Sequence, residues 1–465
     1  MRYVSTRGEA PALGFSDAVL AGLARDGGLY VPDAWPTFSA ADIRAMRGLP
    51  YADLAIRVLT PFLGGDIKQD VFEKLVRGAY GTFRHAAVCP LVQTGPDRYV
   101  LELFHGPTLA FKDVAMQLLA RLMDHILAER GEMATIVGAT SGDTGGAAIE
   151  AFAGRERTDV FILFPHNRVS PVQQRQMTTS GAQNVHAIAL EGNFDDCQGI
   201  LKDLFNNHGF RDRVRLSGVN SINWARVMAQ IVYYFSSALS LGAPDRAVSF
   251  VVPTGNFGDI FAGYAAKRMG LPIERLVIAT NDNDILARTL ENGEYRMKGV
   301  VATTSPSMDI QVSSNFERLL FEAAERDAAT VRRYMAGLKQ SGGFQIDAPA
   351  MQRIRAEFDA GRATMADVDA TIAAGVEASG YLFDPHTASA DRVADLLSSR
   401  NAPVVVLGTA HPAKFPDSVE KASGIRPQLP AWLAGMMEKP EKFDVLPSDA
   451  KMVEEYVSHR ARAAA

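Results

Sequence analysis

Cysteine is nearly missing from this chain. Only Cys89 and Cys197 occur among 465 residues, which excludes a disulfide framework and points to a reducing compartment. No basic run stands out, and a formal net charge of −5 leaves no footprint for nucleic acid or an anionic membrane. Long hydrophobic runs are also missing. The most apolar stretch, Ile231 to Ala243, carries Ser236, Ser237 and Ser240 and is too short to span a bilayer. The opening residues lack the apolar core of a signal peptide, so the expectation is a cytoplasmic enzyme without membrane or nucleic-acid partners. There is no internal repeat, no low-complexity tract, no G-x-x-x-x-G-K-[ST] nucleotide loop and no G-x-G-x-x-G dinucleotide turn. No metal is expected.

What is present is an ordinary globular composition, 47% hydrophobic and 22% charged, in a chain long enough for two or three domains. Helical patterns fill the first part: Phe15–Ala24, with Ser16 as a candidate cap, then Ala41–Arg47, Tyr51–Leu63 and Asp70–Tyr80. Leu29–Pro32 reads as an extended piece. These form a small, mainly helical N-terminal domain over residues 1–86.

From residue 87 to 465 strands and helices alternate. Strands are expected at Tyr99–Phe104, Ala134–Gly138, Val160–Phe164, Val185–Leu190, Ala247–Pro253, Arg275–Thr280 and Pro403–Leu407. Helices lie between them, and Asn315–Ser379 reads as a helical, charged insertion or cover. Such alternation argues for parallel sheets wound on both faces, in two doubly wound α/β lobes with the site between them.

Three segments carry chemistry. Lys112 follows His105-Gly106-Pro107-Thr108-Leu109-Ala110-Phe111 and falls in the first turn of a helix with the apolar stripe Phe111, Val114, Ala115, Leu118, Leu122 and Met123. The positive end of the helix and partial burial both disfavour an ammonium there. That makes a reactive amine, whereas an isolated lysine at such a position simply extends its head to water. Thr140-Ser141-Gly142-Asp143-Thr144-Gly145 follows a strand and opens a helix, either as an anion seat for a carboxylate or as a well-capped turn. Thr254-Gly255-Asn256-Phe257-Gly258-Asp259 follows another strand and suits a single phosphate monoester held by backbone N–H groups, with Asp259 as a candidate cap. A lysine amine flanked by two such turns is what pyridoxal 5'-phosphate requires. Near the end, Thr409 sits just past Val404–Leu407, placed to meet a pyridine nitrogen. His411 and Lys414 are either substrate groups or structural.

With these residues in hand, the sequence resembles threonine synthases of the long form with an N-terminal domain. The resemblance runs through Gly22–Pro32, Phe104–Asp113, Gly138–Gly145, Asn220–Arg226, Gly255–Asp259, Thr303–Asp309 and Thr409–Phe415. It implies the fold-type II architecture of pyridoxal-phosphate enzymes, similar to tryptophan synthase β. It also implies conversion of O-phospho-L-homoserine and water to L-threonine and phosphate, by γ-elimination and β-replacement. By motif, Lys112 corresponds to the Schiff-base lysine, and Gly255, Asn256, Phe257, Gly258 and Asp259 to the cofactor-phosphate loop. Thr409 corresponds to the partner of the pyridine nitrogen, and Ser141, Gly142, Asp143 and Thr144 to the substrate and cofactor loop. Asp143 stands where many relatives of this architecture have Asn. It is therefore protonated, turned toward backbone N–H groups, or no cofactor contact. A seat for the leaving phosphate is required, with Thr108 and Arg226 preferred among His105, Thr108, Ser221, Asn223, Arg226 and Ser313–Asn315. Two rivals share parts of this reading: a phospho-lyase that yields a 2-oxo acid and ammonia, and a non-catalytic α/β protein binding a phosphorylated metabolite. Monomer and homodimer both remain open.

Overall fold

The computed structural model describes residues 1–397 and 402–464. Each strand expected from the apolar runs forms, and the strands sort into two separate sheets. The larger has the order Phe358–Arg362, Ile273–Thr280, Val248–Pro253, Val404–Gly408, Arg98–Glu102, Leu91–Gly95. It is parallel except for its last pair, which is antiparallel. The smaller is wholly parallel, with the order Asp444–Pro447, Val185–Glu191, Thr158–Pro165, Ala134–Ala139, Leu216–Ser217. Strand order differs from chain order. The chain starts the larger sheet, leaves to build the smaller, returns at Val248, and ends by adding one more strand to the smaller. Thr158–Pro165 and Val248–Pro253 are buried at every position, as strands with both faces covered must be.

Two helices fill the space between the sheets. Lys112–Arg130 was expected to bury one stripe, yet Met116, Leu119 and Ala120 are buried along with Val114, Ala115, Leu118, Leu122 and Met123, while Phe111 is only half-buried. An apolar surface on all sides marks a helix inside the molecule, not one lying on it. Trp224–Ser240 is buried almost throughout and packs against it.

The N-terminal helices Phe15–Ala21, Ala40–Arg44, Tyr51–Leu59 and Gln69–Tyr80 form close to where the periodicity puts them. Ser16 is not a cap. Gly14 takes that position, and the Ser16 backbone N–H donates to Asp66 Oδ2 at 2.9 Å. Tyr30–Pro32 pairs antiparallel with Tyr3–Ser5. This region shares a continuous core with the rest, centred on Trp224, whose ring lies 5.9 Å from Tyr3, 6.0 Å from Trp35 and 5.7 Å from Phe62.

The segment Asn315–Ser379 departs from its helical reading. It contains four helices, but also Gly343–Gln345, paired with Glu294–Arg296, and Phe358–Arg362, the edge of the larger sheet. The strand Phe-Asp-Ala-Gly-Arg has no β-branched run, and no turn residue separates it from the helix ending at Glu357. Propensity therefore gives no signal, and parallel pairing with Leu276–Thr280 decides. Among the described residues no helix is long and apolar enough to cross a membrane.

Trp224→Ala removes the largest fully buried side chain from the seam between the N-terminal helices and the body. The expected cost is about 3–5 kcal/mol, read from urea unfolding. A loss well under 1 kcal/mol would show that the N-terminal region does not depend on this ring.

Candidate active site

The start of the Lys112 helix is fixed by the end of the strand Val404–Gly408. Phe111 N–H donates to the Thr409 carbonyl at 2.8 Å and His411 N–H to the Leu109 carbonyl at 3.0 Å, with Leu109 in the left-handed region at φ 61°. Lys112 is thus the first helical residue, and its side chain turns inward. Nζ donates to Asp143 Oδ2 at 3.3 Å and Ser307 Oγ at 3.4 Å and lies over the Phe111 ring. Burial pushes its pKa below the ordinary lysine value; Asp143 opposes this, while the nearby charges of Lys414 and Arg226 add to it.

The sequence leaves Asp143 open between protonation, backbone N–H groups and no cofactor contact, and the structure turns its side chain to two lysines in place of backbone N–H groups. Its carboxylate lies between two ammonium groups, 3.3 Å from Lys112 Nζ and 2.8 Å from Lys414 Nζ, and accepts from Gln173 Nε2 at 2.9 Å. Burial alone would raise its pKa, but the two lysines and the hydrogen bonds hold it far below the usual carboxylate range. Lys414, left open between substrate contact and structure, is fully buried. It spends its remaining protons on the Thr108 carbonyl and Gln176 Oε1.

Around Asp143 the loop is already stiff. Thr140 Oγ1 accepts from the N–H groups of Gly142 and Gly145, and a Cβ on Gly142 would collide with the Gln173 amide. The N–H groups of Ser141, Asp143 and Thr144 meet no protein acceptor, and neither do the hydroxyls of Ser141 and Thr144 donate within the described residues. A small anion fits there.

The second turn has the same character. Gly255, Asn256, Phe257 and Gly258 lead into the helix Gly258–Arg268, with Phe257 as its N-cap at φ 63°. Their N–H groups have no protein acceptor among the described residues. A Cβ on Gly255 would run into the Ser307 carbonyl oxygen, so the loop lies tight against the segment that also touches Lys112. The side chains of the motif point elsewhere. Phe257 packs on Phe316 and Phe358. Asp259 is not a cap: Oδ1 accepts from the Tyr233 and Tyr234 hydroxyls, Oδ2 has no partner, and burial pushes its pKa up to about 7. Phe257 and Asp259 therefore offer an anion no side-chain donor, and the backbone N–H groups of the turn remain. A turn whose backbone N–H groups converge, a buried amine and the Thr409 hydroxyl, without a protein partner among the described residues and on a residue 5% exposed, fit pyridoxal phosphate.

Other sequence candidates fare unevenly. The Thr108 hydroxyl is committed to Asp113 Oδ1 at 2.7 Å and its N–H to Oδ2 at 2.8 Å, so it has no free proton for substrate. Asn223 caps the helix Trp224–Ser240 and donates to the Val19 carbonyl. His105 is paired with Glu102. Arg226 stays available: it is buried, donates from Nη1 to the Val219 carbonyl, and its Nε has no partner.

The same chain matches family models for the threonine synthase N terminus over residues 2–80, for pyridoxal-phosphate dependent enzymes over 92–337, and for the threonine synthase C-terminal region over 387–457. A threonine synthase from Pseudomonas aeruginosa is 54% identical over 460 residues, spanning 98% of both chains. The chain belongs to the threonine synthase family. Crystal structures of threonine synthases agree with this. That of the pyridoxal-phosphate-bound protein from Brucella melitensis superposes with a TM-score of 0.97 at 69% identity, covering 99% of this chain and 100% of that one. The yeast structure gives 0.94 at 39% identity, covering 99% and 98%. The architecture is the fold-type II arrangement of pyridoxal-phosphate enzymes.

For this threonine synthase family member, sequence reasoning missed several groups around Lys112. Ser307 reaches it because Asp309 gathers Asn281, Asn283 and Thr303 around a tight loop. The clustered hydroxyls and Pro306 of Thr303–Asp309 were visible, but their target was not. His386 receives the Ser307 N–H at Nε2 and faces Asp384 from Nδ1. Gln173 lies on a helix whose pattern reads only as packing.

Asp143→Asn would leave two buried ammonium groups without a carboxylate, at an expected cost of about 3–5 kcal/mol at neutral pH. Because the native carboxyl titrates below its unfolded value of 3.8, the gap to wild type should shrink on the acid side as pH falls below about 4. Asp259 has the opposite sign. Its pKa rises from 3.8 to about 7, so its stabilisation is complete below the unfolded value and is lost as pH rises through the native one. Asp259→Asn should therefore gain on wild type by about 1 kcal/mol or more between pH 4 and 8. Urea midpoints across pH test both, and a pH-independent difference in either case contradicts the assignment.

Proposed function

We propose that this chain is a threonine synthase acting in the cytoplasm as a monomer or homodimer, with an N-terminal unit over residues 1–86 and a catalytic module over 87–465. It converts O-phospho-L-homoserine and water to L-threonine and phosphate. The observation that carries this reading is the buried Lys112 amine, lowered in pKa, set beside two glycine-bearing turns at helix starts whose backbone N–H groups have no protein acceptor among the described residues. When bound, pyridoxal phosphate supplies an electron sink for negative charge at the substrate's Cα.

The chain's own groups divide the remaining work. Backbone N–H groups of Gly255, Asn256, Phe257 and Gly258 hold the cofactor phosphate at a helix N-terminus. The Thr409 hydroxyl faces the ring nitrogen; being neutral, it leaves that nitrogen less protonated than a carboxylate partner would. The N–H groups and hydroxyls of Ser141 and Thr144 take the substrate carboxylate. Lys112 Nζ, neutral in a larger fraction than an exposed lysine, removes and returns protons at Cα, Cβ and Cγ. Arg226, with a buried Nε to spare, takes the leaving phosphate. Asp143 keeps Lys112 and Lys414 fixed while the seats fill. Burial keeps bulk water from the reacting carbons.

Purified protein given O-phosphohomoserine should release phosphate and threonine in equal amounts. Phosphate accompanied by ammonia and a 2-oxo acid would make it a phospho-lyase instead. Lys112→Ala should lose threonine formation by about 100- to 10,000-fold, the range for a positioned acid–base group, yet retain cofactor through the phosphate loop. Near-normal turnover would remove Lys112 from its role.

A further inference from the structure

Arg318 is fully buried, and among the described residues it forms no ion pair. Its sequence neighbour Glu317 is engaged with Arg7 and the Thr6 hydroxyl of the N-terminal segment instead. A buried cation without a counter-charge is costly, and here neutral oxygens surround it. Nε and Nη2 donate to the Tyr30 carbonyl at 3.1 and 2.9 Å, Nη2 donates to the Ile222 carbonyl at 2.6 Å, and Nη1 donates to Asn315 Oδ1. The guanidinium carbon lies 5.8 Å from the centre of the Trp224 ring.

The contact to Asn315 has a consequence for the turn Gly255–Gly258. An amide has one accepting and one donating end. With Oδ1 committed to Arg318, the donating end must face the turn. Asn315 Nδ2 indeed donates to the Asn256 carbonyl at 2.9 Å and the Ser221 carbonyl at 3.2 Å, and the Asn315 backbone N–H adds a second bond to Asn256 at 3.0 Å. Ser313 Oγ holds the preceding carbonyl, that of Gly255, at 2.6 Å. In a trans peptide the carbonyl and the following N–H point in opposite directions. Holding the carbonyls of Gly255 and Asn256 from behind therefore turns the N–H groups of Asn256 and Phe257 to the front, where they form an anion-binding concavity. A flipped Asn315 amide would set its oxygen against two carbonyl oxygens and release the turn.

We propose that Arg318 and Asn315 are positioning residues for the phosphate of the cofactor: Arg318 fixes the Asn315 amide, Asn315 fixes the peptide planes of the loop, and the guanidinium charge, which forms no ion pair among the described residues, favours the arriving anion. This rests on the reading of Gly255–Gly258 as the phosphate seat. It also ties the seat to the N-terminal strand through the Tyr30 carbonyl.

The test compares equilibrium binding of pyridoxal phosphate with that of pyridoxal, which lacks the phosphate, by absorbance titration of the apoprotein. The ratio of the two affinities isolates the phosphate's share, and a change in general packing would move both affinities together. Asn315→Asp keeps the shape but opposes two carbonyls with an oxygen, and should lower the ratio at least tenfold. Arg318→Lys, which keeps the charge but cannot span the same acceptors, should lower it less. Should Asn315→Asp fail to fold, Ser313→Ala, which loses one hydroxyl, is read in the same way, with a several-fold fall expected. Folded variants with the wild-type ratio overturn the proposal. A wild-type protein that binds both compounds equally overturns the reading of the seat itself.

Discussion

The carboxylate of Asp143, held between Lys112 and Lys414, is the interaction on which the site depends. Each of the three side chains comes from a different part of the fold: the helix between the sheets, the turn after a strand of the smaller sheet, and the turn after a strand of the larger one. Two cations brought this close in a dry interior would repel each other and could not remain without an anion. The carboxylate supplies it and links the turn after a strand of the smaller sheet to the turn after a strand of the larger one. Lys112 can then be buried deeply enough for its pKa to fall below the ordinary lysine value, while Lys414 anchors the same carboxylate from the turn after the larger sheet.

Local patterns made some of this readable from sequence and hid the rest. Lys112 and the two glycine-bearing turns were visible because strand, turn and helix follow one another within a few residues, where backbone chemistry acts. The pairing of Asp143 with Lys414 was not visible, since nothing in one turn announces a residue on the other sheet. The sequence leaves Asp143 open between protonation, backbone donors and no cofactor contact, and its pairing with the distant second lysine is not among the contacts its neighbours suggest. Asp259 misled for a similar reason. At a helix start it reads as a cap, but Tyr233 and Tyr234 on a packed helix capture its carboxyl. Phe358–Arg362 was lost because its strand character comes wholly from its neighbour in the sheet.

Buried charge is used here in two ways. In the Lys112–Asp143–Lys414 cluster one carboxylate pairs with two lysines, and it opposes the fall in the Lys112 pKa that burial causes. Arg318 forms no ion pair among the described residues; it donates to the carbonyls of Tyr30 and Ile222 and to the Asn315 amide oxygen, whose other end faces the turn Gly255–Gly258. Both place positive charge near a site that must receive a phosphate, a carboxylate and a leaving phosphate in turn. The chain balances these cations within a modest overall negative charge, so the attraction is local to the cleft.

The most direct test of the central claim is the titration of Lys112 itself, followed by NMR of side-chain-labelled lysine in the apoprotein and assigned through the Lys112→Ala spectrum. The expected midpoint lies below the ordinary 10.5 in the wild type and falls further in Asp143→Asn, where the carboxylate opposing deprotonation is gone. A wild-type midpoint at or above 10.5, or a rise on removing Asp143, would contradict that claim.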